Sequence, residues 1–507
     1  MTFRNYLHIR RKFFPFDFVK VILAKERKEN IMKMKKYLAL LLASIMVVST
    51  AACGNDSGNS STTASVEDSS STNSEKADDS GEAEESAEAS VPSGDQLVIW
   101  TLADDLIKFG EKYQEETGTP VEVVTIEQAN YPTKVQTALL AGEKEPDIIV
   151  GEPQMLEDFY DAGFFADLNE FGAQDYAGQI VDYVWEAGQS SDGIQRAISY
   201  QVTPAGIYYR REIAKEVFGT DDPDEIGKLF TDYKTILDTA EKLKEKGYRI
   251  FSSDSEISYF THDAAWVVDD KLNVTQAKRD YMDLCVALYQ QDLIAYANAW
   301  STPWRQAMAG DIPILTAEDS GSINMSDKDE FSTATEGRET TSVFAFGLPS
   351  WGIITMKNSG ATPDAGEWGL CAGPAYGFGG GTFIGISSQS ERKDLAWDFV
   401  KFCTLNEDTS NWWIEESGDV VSLVSVLEAH KDDTNPFYGD QKYYAFWREQ
   451  AEGIDYSLIT RYDTPIGDAW ATAVACIKTN EKTKEEAINE FYDLVESTYP
   501  NLTVVRD

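Results

Sequence analysis

The chain has 507 residues, with 44 Lys+Arg against 86 Asp+Glu and a formal net charge of −42. Such an excess of acids works against a nucleic-acid partner, whose affinity comes from Lys/Arg neutralisation, and against adsorption on anionic lipid. Hydrophobic residues at 42% suffice for a real core, and three His leave little for a His-rich metal site, so neither a metal nor a cofactor is expected.

The charge divides the chain into three unlike parts. Residues 1–52 carry 11 basic and 3 acidic residues, residues 53–94 one basic and ten acidic, and residues 95–507 carry 32 basic and 73 acidic. In the head, Lys33, Lys35 and Lys36 precede an apolar run from Tyr37 to Val48 and then Ser49-Thr50-Ala51-Ala52-Cys53. This is the positive region, apolar region and small-residue cleavage site of a secretion signal. The run of about 12 residues is too short to cross roughly 30 Å of hydrocarbon. The TAACG ending resembles a bacterial lipobox, with Thr50 where Leu is commoner. The resemblance implies that Cys53 is lipidated and becomes the mature N-terminus, and that translation starts at Met32 or Met34. Residues 54–94 hold twelve Ser and no aromatic residue. They cannot bury enough apolar surface to offset their ordering entropy and read as a disordered, self-repelling tether.

From Asp95 onward the pattern alternates. Gln96–Trp100 is a short β-rich run, and Asp104–Glu116 has helical spacing in Leu106, Phe109 and Tyr113, ended by Gly118. Pro120–Glu127 alternates as a strand, Tyr131–Leu140 is helical and closed by Gly142, and Asp147–Gly151 is a third strand. Strand–helix–strand at this pitch predicts βαβ units and an α/β fold with a parallel sheet. Ligands bind at the carboxyl ends of such strands, which puts Trp100–Asp105 and Gly151–Gln154 on one rim.

Several stretches then carry a family resemblance: LVIWTLADD, EETGTPVEVVTIE, ALLAGEKEPDIIVGEPQMLEDFYDAGFFADL, AISYQVTPAGIYYRREIAKEVFG, GGGTFIGISSQSERKDLAWDFVKFCTLNED and GDVVSLVSVLEAH. Their order and spacing resemble family-1 extracellular solute-binding proteins, the maltose-binding-protein-like sugar-binding subunits of ABC importers. The resemblance implies a two-lobed periplasmic-binding-protein fold of type II with an interlobe cleft and hinge crossovers. Its expected parts are 95–202 and 379–430 for the first lobe, and 203–378 and 431–507 for the second. It implies a monomer, anchored by lipid on the outer face of a Gram-positive-type cell, that closes on a carbohydrate and delivers it to permease subunits.

Sugar recognition needs flat aromatic faces together with carboxylates and amides for hydroxyls. Asp104 and Asp105 follow the first strand, where the family often holds sugar hydroxyls; the plain alternative is acids at a helix N-terminus. Glu152 and Gln154 follow the third strand, and Tyr131 opens the second helix, another family contact. Gln201 and Thr203 lie at the first crossing, where the family often has an acid near Thr203. Trp266 and Trp304 are candidate platforms, whereas Trp300 reads as helix packing. The family's aromatic within AEDSGS is missing, leaving Asp319 in its place. Trp351 sits in a Pro-bounded loop. Tyr376, Phe378 and Gly379–Thr382, including Gly380, Gly381 and Thr382, form a Gly-rich loop that could approach a ligand or serve as a plain hinge. Cys285, Cys371, Cys403 and Cys476 read as buried thiols, with one extracellular disulfide left open.

Two other classes stay open at this level. A secreted glycoside hydrolase needs only two carboxylates, but with 73 acids in residues 95–507 chance pairs are certain. No G-x-S-x-G or H-E-x-x-H motif occurs, and His262 has no evident Ser or Cys partner. A surface adhesin would show repeats or an all-β rhythm, and neither is present.

Overall fold

The computed structural model describes residues 96–127, 130–261, 264–362 and 366–506. The secretion signal, Cys53, the 53–94 tether and His262 lie outside the described residues. Strand β1 (Leu97–Thr101) is an aliphatic and aromatic run, buried along most of its length. Helix α1 (Asp105–Thr117) turns Leu106, Phe109 and Tyr113 inward and stops at Gly118, whose φ of +74° favours a residue without Cβ. Strand β2 (Val121–Thr125), helix α2 (Tyr131–Ala141) and strand β3 (Ile148–Gly151) follow. Helix α3 (Pro153–Asp161) starts on Pro153, with Glu152 extended just before it.

Five further strands complete the two larger sheets. Strand β4 (Ala197–Ser199) leads into β5 (Ala205–Arg210). After helices α4 (Gln276–Gln290) and α5 (Thr302–Ala309) come β6 (Ala345–Pro349), β7 (Trp368–Cys371) and β8 (Phe383–Ile386). One sheet has the order β2-β1-β3-β8-β4, and the other β6-β5-β7. In the first, β1, β2 and β3 are parallel, while β8 runs antiparallel to both β3 and β4. Phe383 therefore faces Gly151 on one side and Ser199 on the other. The ends of β1, β3 and β4 and the start of β8 share one edge. The second sheet is antiparallel throughout.

The chain passes between the sheets at residues 200–204 and 372–382, and a third segment, 419–423, runs alongside. The Val202 N–H donates to Val420 O and the Ser422 N–H to Tyr200 O, both at 2.9 Å; the Gly379 N–H donates to Thr203 O at 3.1 Å. The segments thus form a small hydrogen-bonded ribbon, a layout suited to hinge motion.

Side-chain alternation on β5 divides the second sheet's two faces. Tyr208 joins Phe346, Trp368 and Trp447 in the core that also holds Ile99, Ile148 and Ile384 of the first sheet. Ile207 and Tyr209 point into a separate core with Phe344 and Leu284. Helix α6 (Lys393–Thr404) covers the first sheet, and α7 (Tyr443–Glu452) contacts β5 and β7. The last two helices, α8 (Asp463–Lys478) and α9 (Lys484–Thr498), pack with α4 through Met282, Trp470, Val474 and Phe491. At the first sheet's other edge Asp147 is fully enclosed. Its carboxylate accepts from the Val98 N–H (3.0 Å), the Ser390 hydroxyl (2.6 Å) and Arg392 Nε (3.0 Å). Cys285, Cys371, Cys403 and Cys476 are free thiols, so they form no disulfide with one another. Among the described residues no helix is long and apolar enough to cross a membrane.

Candidate binding cleft

A cleft of about 830 Å³ opens where the edge of the first sheet meets the 254–266 segment, α4 and α8. From the first-sheet side it is lined by Glu152 and Gln154, and from the hinge by Phe378, Gly379 and Gly380. Tyr259, Trp266, Lys278, Asp468 and Trp470 close the other side.

Glu152 is placed by the end of β3 and the Pro153 turn. Its carboxylate has no hydrogen-bond or ion-pair partner among the described residues, and burial raises its pKa above the usual carboxylate range. Gln154 Oε1 is likewise buried without a partner. Buried polar atoms are normally satisfied, so the unpartnered Glu152 carboxylate on the cleft lining marks a place for a donor-bearing ligand. Gly380 and Gly381 have φ of +71° and +111°. A Cβ on Gly380 would lie 3.6 Å from Glu152 Oε1 and 3.7 Å from Trp351 Nε1, so this backbone runs directly behind both groups.

Aromatic rings supply the flat faces. Trp266 stands edge-on to Trp470 with centroids 5.9 Å apart. Tyr259 meets Trp351 edge-on at 6.4 Å, and the Trp351 indole N–H donates to Gly379 O at 3.0 Å. Lysine charges are taken up locally: Lys478 Nζ contacts both Asp254 oxygens at 2.7 and 2.8 Å, and Lys278 Nζ donates to Ala264 O at 2.6 Å.

Other candidate residues have different occupations. Tyr131 is fully buried: its hydroxyl donates to Trp100 O (3.0 Å) and accepts from the Val150 N–H (3.1 Å), tying β1 to β3 from inside. Trp304 is 1% exposed because α5 presents it to Phe346, where its indole N–H reaches Glu256 at 3.4 Å. Asp319 caps its own short helix with Thr316 and takes two bonds from Arg338, which hold its pKa at about 2. Asp105 accepts from the Tyr200 hydroxyl at 2.9 Å, while Asp104 is exposed and lies outside the cleft lining. Tyr376 is exposed and packs against Gly453, where its ring leaves no room for a Cβ.

Gln201, Thr203 and Thr382 belong to the hinge ribbon. With its amide turned to suit both neighbours, Gln201 donates to Asp419 Oδ2 at 2.6 Å and accepts from the Thr382 hydroxyl (2.9 Å) and N–H (3.1 Å). Asp419 is fully buried, also accepts from the Val420 N–H at 2.8 Å, and has its pKa raised to about 7 by burial. Thr203 is 2% exposed, its N–H held by the Tyr183 hydroxyl at 2.6 Å.

The residues that sequence reasoning missed come from distant segments: Tyr259, Lys278, Asp468 and Trp470. One signal was available. Gly467 interrupts a helical pattern, which indicates close approach, and its Cβ position lies 3.9 Å from Trp266 Nε1. Trp300, read as a packing residue, is 55% exposed.

Two sheets joined by a hinge ribbon, with a cleft beside it that bears an open carboxylate and aromatic faces, define a two-lobed α/β ligand-binding protein. Residues 108–435, well over half of the chain, match the family of bacterial extracellular solute-binding proteins, and the chain belongs to that family. It is therefore a binding protein and not an enzyme, which sets aside the hydrolase alternative. No curated protein matches the chain. Among solved structures, an extracellular solute-binding protein of family 1 superposes with a TM-score of 0.63 at 17% identity, covering 80% of this chain and 99% of the other. An ABC-transporter-associated binding protein from B. animalis subsp. lactis Bl-04, in complex with beta-1,6-galactobiose, gives 0.61 at 17% identity, covering 81% and 100%. The sugar-binding protein MalE of Xanthomonas citri gives 0.58 at 14% identity, covering 79% and 96%. At these identities the likeness concerns the fold, which is that of periplasmic binding proteins.

Proposed function

We propose that the protein captures a sugar or oligosaccharide for an ABC importer. The observation that carries this reading is the unpartnered Glu152 carboxylate in a cleft also lined by Tyr259 and Trp266. Carboxylate and amide oxygens accept from sugar hydroxyls, and rings take the C–H faces of a pyranose. The sugars named for similar folds agree with this chemistry. Residues 95–202 and 379–430 act as one lobe, 203–378 and 431–507 as the other. Ligand first bound on one lobe gains contacts from the other, and that differential affinity drives closure. The closed monomer then docks on the permease subunits. Cys53 carries the lipid anchor and residues 53–94 the tether, holding the receptor at the outer face of the membrane.

A thermal-shift screen over mono- and oligosaccharides, followed by calorimetry on hits, tests the sugar reading. A raised Tm with unit stoichiometry supports it; no shift with any sugar sinks it. For the anchor, Cys53→Ala is expected to release the protein into the medium and to abolish incorporation of labelled palmitate.

A further inference from the structure

Helix α7 ends at Glu452 and α8 begins at Asp463. Both lie on the second sheet's side, α7 against β5 and β7 and α8 against α4. The link between them, residues 453–462, leaves that side. Its single turn, Tyr456–Leu458, lies against the short helix Asp182–Ala187, which packs on β4 of the first sheet. The Tyr456 ring meets Phe378 of the 372–382 crossing at 5.7 Å, and Phe378 meets Tyr183 of that helix at 5.9 Å. Next along, Leu458 and Ile459 line the cleft. The link is therefore a strap that starts on one side, touches the other and forms part of the cleft wall on its way back.

The strap is held differently from the hinge ribbon, whose segments bond to one another through their backbones. Among the described residues every backbone hydrogen bond of the strap is local: Leu458 N–H to Asp455 O (3.3 Å), Ile459 N–H to Tyr456 O (3.0 Å) and Asp463 N–H to Thr460 O (2.9 Å) are typical. No residue from Glu452 to Pro465 is buried, although Ala451 and Ile466 on either side are. Two like-charge pairs, Asp455 with Glu186 and Asp463 with Glu157, work against the contact, while Arg461 attracts Glu157. Side chains make the hold, with the Tyr456 ring at its centre. A segment with few buried contacts and self-contained backbone bonds opens at low free energy, without its neighbours.

We propose that residues 453–462 are a gate on the cleft, latched to the first lobe by Tyr456, which swings clear for ligand to enter or leave while both sheets keep their structure. The inference rests on the reading of this cleft as the binding site. The latch is the same with and without ligand, so the gate sets how fast ligand passes and not how tightly it is held.

Hydrogen exchange of the full chain without ligand tests the gate first. Peptides within 453–462 are expected to exchange about a hundredfold faster than those of α7 and α8, and Tyr456→Ala to speed them about threefold more with both helices unchanged. Rates equal to those of the flanking helices, or a strap indifferent to Tyr456→Ala, overturn the gate. Stopped-flow tryptophan fluorescence with β-1,6-galactobiose and with maltose then reads the passage of ligand. For a sugar that binds, Tyr456→Ala is expected to raise kon and koff together by about fivefold or more and to leave Kd within about threefold. Tyr456→Leu keeps apolar bulk should the Ala variant misfold, and is expected to move both rates the same way by less. A packing defect would raise koff alone and weaken Kd; that result, or unchanged rates in both variants, overturns the proposal. If neither these sugars nor any other binds, the sugar reading fails, and exchange in the ligand-free protein still decides the gate.

Discussion

Glu152, half-buried at the end of β3, and Asp419, fully buried beside the hinge ribbon, are two carboxylates with opposite surroundings. Asp419 is closed in by Gln201, the Val420 N–H and the Trp413 indole. Glu152 has no such partner and looks into the cleft. Burial raises the pKa of both. The difference teaches where each cost is met. In the hinge the fold itself supplies hydrogen-bond partners for the carboxyl, so the segments keep a defined register. On the rim the acceptor stays open for groups that only a ligand brings.

The comparison breaks hardest at the hinge. Asp419→Ala should destabilise the fold by about 3 kcal/mol, because it strands several buried donors at once; urea unfolding would measure it. Glu152→Gln should leave the urea midpoint unchanged or slightly raised. It should weaken sugar binding by about 1.5–3 kcal/mol, roughly ten- to hundredfold, read by calorimetry.

Next in size is Gly380→Ala. The added methyl meets only ordinary contacts, at 3.6 Å and beyond. The positive φ alone should then cost about 1–2 kcal/mol of stability. Asp319→Ala should cost about 1 kcal/mol as a lost cap and leave sugar affinity untouched; an affinity change would return Asp319 to the site. A pH series sharpens the contrast last. The Asp419 pKa is raised from 3.8 to about 7 in the folded state, so the native protein holds this proton more tightly than the unfolded chain. The contribution of Asp419 to stability should therefore fall as pH rises from about 4 to about 7 and flatten above. Asp419→Asn should remove that slope; parallel urea midpoints for the two proteins across this window would count against it.

Much of the first sheet was legible from local chemistry. The runs Leu97–Thr101, Val121–Thr125 and Ile148–Gly151, with helices ended by Gly118 and Gly142, follow from strand propensity, helical spacing and left-handed glycines. The rim position of Glu152 and Gln154 follows from that strand order. Trp304 and Trp300 show where such reasoning stops. They lie four residues apart in one sequence neighbourhood, yet one is 1% and the other 55% exposed. No local pattern distinguishes them, because their environment is set by Phe346 and Trp351, from segments distant in the chain.

The sequence by itself determined the α/β alternation and which strand ends share one edge of the first sheet, since these depend on neighbours along the chain. Tertiary structure alone decided which polar groups are left open. Tyr131, Asp105 and Asp319 find partners in Val150, Tyr200 and Arg338. Glu152 does not, because its side chain ends in the cleft. A hydrogen bond is made or left unmade by geometry across the fold, and residue type specifies only the capacity to make one.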